Sequence, residues 1–144
     1  MQRGLKIGRL FGINIHLDWS WLLIFVLVTW NLASGFGSLH PDWDPPLAWG
    51  IAVAASLVLF ASVLAHEVAH SLAARAQGMS VHRITLFLFG GVSNLQRHPP
   101  SPRAEFIIAI FGPITSVTLG VLFTLASGFG LADVMGVQMD PAEL

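Results

Sequence analysis

His66, Glu67 and His70 stand in an HExxH pattern, a set of residue types that at this spacing can carry out metal-assisted hydrolysis. On a helix, positions i and i+4 share one face, so both imidazoles can offer a nitrogen to one ion. Glu67 sits beside the first histidine, within reach of a water held by that ion. Water bound to Zn2+ has its pKa lowered toward 7, and the carboxylate would take its proton and later deliver it to a leaving amine. The expected reaction is hydrolysis of a peptide bond. Cys is absent from the chain, which excludes disulfides and thiolate ligands and leaves His, Asp and Glu to hold any metal.

HExxH also arises by chance on soluble helices rich in Glu and His, where it means two interior histidines and a stray acid. The surroundings decide against that reading. From Leu47 to Ala74 the only ionisable side chains are His66, Glu67 and His70. An acidic side chain deep in a membrane helix costs at least ~2.5 kcal/mol, so one kept there has a function by default.

The elements that must position these residues follow from composition. The chain has 144 residues, which suits one domain; 54% are hydrophobic and 10% charged, against roughly 25% charged in ordinary globular chains. A soluble fold with so few charges would expose large apolar patches, so the bilayer is the natural solvent. The formal net charge is −1 and no basic, aromatic-flanked stripe occurs, which gives no support for a nucleic-acid partner. Crossing a bilayer takes about 20 apolar residues in a helix. Three stretches qualify: 17–34, where Asp18 is the only charge; 47–77; and 104–131, interrupted by Gly112-Pro113. Trp19, Trp21, Trp30, Trp43 and Trp49 fall at or near the expected span ends, as interfacial Trp does.

Two further segments read as β-structure. Residues 4–17 alternate apolar and polar positions, the pattern of a strand or hairpin rather than of the basic leader that Arg3, Lys6 and Arg9 would otherwise suit. Residues 80–96 are β-branched and aromatic around Gly90-Gly91, too short to span, and end in a Pro-rich linker at His98–Pro102. The expected fold is therefore a membrane α-helical domain. It has about three transmembrane helices, an N-terminal strand or hairpin, and a membrane-edge β-hairpin between the second and third helices.

Loop charges give an orientation. Arg3, Lys6 and Arg9 precede the first span, and Arg75, Arg83, Arg97 and Arg103 lie between the second and third, whereas the first loop carries only Asp42 and Asp44. The positive-inside rule puts the N-terminus and residues 75–105 on the cytoplasmic side. His66 is nine residues before Arg75, about 14 Å along a helix. The site then lies within the hydrocarbon, nearer the cytoplasmic face.

An HExxH motif inside an apolar span resembles the site-2 protease family of intramembrane zinc metalloproteases. Gly8–Ile13 followed by Trp19-Ser20-Trp21 looks like the strand-then-helix opening of its bacterial and archaeal members. Phe89-Gly90-Gly91-Val92 looks like their glycine-bearing hairpin, which would align an unwound substrate as an added strand. Gly112-Pro113 looks like their Gly-Pro motif. The resemblance runs to about residue 127. It implies Glu67 as the catalytic base, His66 and His70 as zinc ligands, and substrate contacts at Phe89, Gly90, Gly91, Val92, Gly112, Pro113 and Ser116. It also implies a membrane-anchored regulatory protein as substrate and the cell membrane as the location.

Two departures stand out. Ser116 occupies the place where the family often has Asn, with Thr115 beside it, and no Asp-Gly occurs to supply the family's third zinc ligand. Asp133, Asp140, Glu143, His82 and His98 are weak substitutes, so the chain reads as the front part of a longer protease. Two other readings stay open: a non-catalytic membrane module holding metal or substrate through the same features, and a metal transporter using the same three side chains.

Overall fold

The computed structural model describes residues 4–95 and 98–134. Arg3 and Arg97 of the loop charges, and Asp140 and Glu143 of the tail, lie outside the described residues. The chain runs β1 (Leu5–Leu10), β2 (Ile13–Leu17), α1 (Trp19–Leu39), α2 (Pro45–Ala76), β3 (Val81–Phe87), β4 (Gly90–Leu95) and α3 (Pro102–Val134). All three helices are long and apolar enough to cross a membrane. At 32 residues, α2 is about 48 Å long, more than the ~30 Å hydrocarbon core, so it is long enough to cross a bilayer with turns to spare.

The first helix ends at Leu39 rather than at 34. Ser34, Gly35, Gly37 and Ser38 continue it, since Gly is tolerated in apolar helices and the Ser38 hydroxyl bonds back to the Ser34 carbonyl at 2.9 Å. The helix stops at His40, which precedes Pro41 and whose N–H still reaches the Phe36 carbonyl at 2.8 Å. Trp30, expected near a span end, consequently lies well inside α1, where its ring meets Trp49 of α2 edge-on at 5.9 Å.

The two β-segments are not separate hairpins. They join in one four-stranded sheet of order β1-β2-β3-β4. The outer pairs are antiparallel, and the central pair is parallel, with Asn14 opposite Arg83, Ile15 opposite Ile84 and Leu17 opposite Leu86. A parallel pair needs a crossover, and here α1 and α2 together supply it. Alternation puts Ile13, Ile15, Ile84 and Leu86 on one face, all buried against Val68, Ala73 and Ala74 of α2.

The sheet is tied to the membrane helices by polar contacts at the start of α1. Asp18 caps the helix, its carboxylate accepting from Ser20 N at 2.9 Å and Ser20 Oγ at 2.7 Å. Its own N–H donates to the Leu86 carbonyl at 2.8 Å, and Leu88 N donates to Ser20 Oγ at 3.1 Å. Between α1 and α2 small residues allow close approach: Ala33, Ala48 and Ala52 are buried, and Thr29 Oγ1 donates to Ser56 Oγ at 2.8 Å. Ala52 is fully buried, so Ala52→Leu must push the two helices apart. A loss of about 1–3 kcal/mol is expected in denaturation followed in detergent, whereas the exposed Leu57→Ala should lose well under 1 kcal/mol in that solvent.

Candidate active site

His66, Glu67 and His70 occupy two adjoining faces of α2. His66 and His70 turn toward α3, and their Nε2 atoms stand 3.0 Å apart. Each ring is held by its other nitrogen. His70 Nδ1 donates to the Ile108 carbonyl at 2.7 Å, and because a carbonyl only accepts, the proton sits on Nδ1 and leaves the Nε2 lone pair free. His66 Nδ1 is bonded to Ser116 Oγ at 2.7 Å. Two imidazole lone pairs aimed at each other across 3.0 Å repel unless a proton or a cation lies between them. Two nitrogens on one tetrahedral zinc, each ~2.0–2.1 Å from it, stand about 3.3–3.4 Å apart. The pair is thus within a few tenths of an ångström of the separation such an ion requires, and both donors fit it.

Gly112 of α3 makes room for this pair. A Cβ built there would fall on His70 Nε2 and stand 2.6 Å from His66 Nε2. Pro113 follows inside the helix, removing the donor that would serve the Ala109 carbonyl. This backbone disturbance lies in the turn whose Ile108 carbonyl receives His70.

Glu67 turns instead toward the sheet. A Cβ at Gly91 would fall on Glu67 Cγ, 2.8 Å from Cδ and 3.2 Å from Leu86 Cδ2. The Ser93 hydroxyl, on the same face of β4, meets the Glu67 carboxylate. Ser71 Oγ lies 3.0 Å from Ser93 Oγ and donates to the Glu67 carbonyl at 2.9 Å. Ser71 and Ser93 were not singled out in the sequence, although spacing could have found them. Ser71 is four residues after Glu67 on a helix, and Ser93 is two after Gly91 on a strand.

A cleft of about 540 Å³ opens beside these groups. His66, Glu67, Phe89, Gly90, Gly91 and Ser116 line it together with apolar side chains such as Leu59, Val63, Leu119 and Phe123. His70 and Gly112 adjoin it through their contacts with His66. Phe89 is 87% exposed beside it. Three expected contact residues do not line the cleft: Val92, whose place on β4 alternates with Gly91 and Ser93; Gly112, which lies against the two imidazoles; and Pro113, which acts on the α3 backbone. Among the described residues no third His, Cys, Asp or Glu joins His66 and His70 in a metal-sized group. Asp133 lies near the far end of α3, about 30 Å of helix beyond Pro113; His82 lines a different hollow and His98 is exposed in a loop.

The same arrangement has counterparts. A solved structure, the site-2 protease from Methanocaldococcus jannaschii, superposes with a TM-score of 0.64 at 27% identity, covering 88% of this chain and 52% of that one. The "Putative zinc metalloprotease sll0528" of Synechocystis is 40% identical over 87% of this chain, and the "Putative zinc metalloprotease Rip3" of Mycobacterium tuberculosis is 38% identical over 85%. The chain spans about a third of the length of these curated relatives. The model for peptidase family M50 matches residues 54–138. That match takes in the paired histidines, the strand bearing Gly91 and the Gly112-Pro113 helix, and covers more than half of the sequence: the chain belongs to peptidase family M50.

Proposed function

We propose that this chain carries the catalytic centre of an intramembrane zinc endopeptidase, one that cuts a membrane-anchored regulatory protein in or near its transmembrane segment. The observation that supports this best is the pair of imidazole nitrogens 3.0 Å apart, each ring fixed from behind, with Glu67 alongside in the same cleft. His66 and His70 would hold the ion, which when bound supplies Lewis acidity to a peptide carbonyl and acidity to a water. Glu67, restrained by β4, accepts the proton of that water and returns it to the departing amine. Phe89, Gly90, Gly91 and Ser116 bound the space in which a substrate strand lies against the edge of the sheet, and the apolar walls keep bulk water from it. The N-terminus and the loop between α2 and α3 face the cytoplasm, which places the cut near the cytoplasmic end of the substrate span.

The lack of a third protein donor among the described residues favours a second reading, a module that holds metal and substrate without hydrolysis. Zinc content and turnover separate the two. On the first reading, Glu67→Gln keeps zinc, lost in His66→Ala/His70→Ala, and lowers cleavage of a model transmembrane substrate by at least ~10²–10⁴-fold. Cleavage that survives Glu67→Gln would sink the mechanism.

Gly112→Ala brings a methyl onto both ring nitrogens and should weaken zinc binding at least tenfold in an equilibrium titration, about 1.4 kcal/mol or more. Gly91→Val is expected to retain zinc but lose turnover, because its side chain displaces Glu67. It therefore cannot by itself test strand addition. Phe89→Ala does so more cleanly, with KM raised about tenfold and kcat little changed, for the loss of ~1.4 kcal/mol of apolar contact.

A further inference from the structure

A second hollow, of about 470 Å³, lies where α2 ends against the turn between β1 and β2. Arg9, Gly12, Arg75, Gly78, Ser80 and His82 are among its walls, and no Asp or Glu lines it. Arg75 reaches across it and donates through Nη1 to the Phe11 carbonyl, in a turn where Phe11 (φ 49°) and Gly12 (φ 79°) are both left-handed. A Cβ on Gly12 would lie 3.3 Å from Arg75 Nη2 and 3.8 Å from Arg9 Nη2, so two guanidinium groups flank one point, with His82 in the same wall.

The neighbouring strands carry further cations. Register places Lys6 beside His16 and both Arg9 and Arg83 beside Asn14, opposite the isoleucine face that packs on α2. The His16 imidazole is pushed below its ordinary pKa by burial first and by the neighbouring Arg83 and Lys6 cations second. Two like charges held at one point repel, and what relieves them is an anion with several acceptor oxygens in guanidinium geometry. The position along the chain says where that anion comes from. Apart from the HExxH residues, α2 carries no ionisable group from Leu47 to Ala74, so Arg75 is the cation at which its apolar span meets the headgroup layer.

We propose that this hollow binds a phosphate group, supplied by the headgroup of an anionic phospholipid. Zwitterionic phosphatidylcholine offers the same phosphodiester, but its choline would face the same cations. The test is native mass spectrometry of the chain released from micelles holding equal phosphatidylglycerol and phosphatidylcholine. The wild type should retain phosphatidylglycerol in preference. Arg9→Gln should lower that retention by about fivefold for its lost full charge, His82→Gln, which removes a hydrogen-bonding ring, should lower it less, and the double variant should lose the preference. Arg103→Gln removes a cation from the start of α3, outside the hollow, and should leave retention unchanged. Arg75→Gln is the less useful variant, because it also breaks the bond to Phe11. Undiminished retention in the double variant, or an equal loss in Arg103→Gln, would overturn the site. Millimolar inorganic phosphate should fail to displace the lipid; if it does displace it, the site belongs to free phosphate and the lipid assignment falls.

Discussion

Two imidazoles on successive turns of one helix can bring their nitrogens together only if whatever packs opposite has no side chain there. In this protein the constraint falls on Gly112. The rings of His66 and His70 rest on its backbone, and α3 approaches so closely that its own groups complete the support: the Ile108 carbonyl fixes one ring and the Ser116 hydroxyl the other. Close packing of α2 on α3 and the orientation of the nitrogens are thus one feature. The proline after Gly112 belongs to the same feature, since it loosens the helical bonding of the turn that His70 addresses.

Glu67 has a matching arrangement on its other side. Gly91 lets β4 press against the carboxylate, as Gly112 lets α3 press against the imidazoles. The residues proposed to do the chemistry are therefore gripped from two directions by backbone rather than by bulky side chains. Backbone in a helix or strand moves less than a rotamer, which suits groups that must hold their geometry in a cleft open to a flexible substrate.

Much of this was legible in the sequence. The three helices stood out because an apolar run near 20 residues has few other uses, and HExxH stood out because no other ionisable group shares its span. The hairpin around Gly90-Gly91 was readable from β-branched and aromatic residues. What could not be read was the joining of residues 13–17 with 81–87, because a parallel pairing over such a distance leaves no local mark. For the same reason Ser93 passed unnoticed as a neighbour of Glu67, although its spacing from Gly91 placed it on the right face. The α1 helix runs on to Leu39, past the apolar run, because glycine and serine break helices less readily in an apolar setting than in water. Val92 was grouped with its neighbours by motif, whereas strand alternation sets it apart from Gly91 and Ser93.

The parallel seam between β2 and β3 also has a consequence for how the protein is made. Ile15 pairs with Ile84, and the two membrane-crossing helices lie between them in the chain. Contacts of such high sequence separation form slowly, because the loop must close before they return anything. The first hairpin precedes both helices in the chain, yet its inner strand lacks its second partner until α1 and α2 have been made and the chain has turned back through Gly78. Only then can β4 reach Glu67. The restraint on the acid therefore depends on chain made only after α1 and α2, and the groups of α3 that hold the imidazoles come later still.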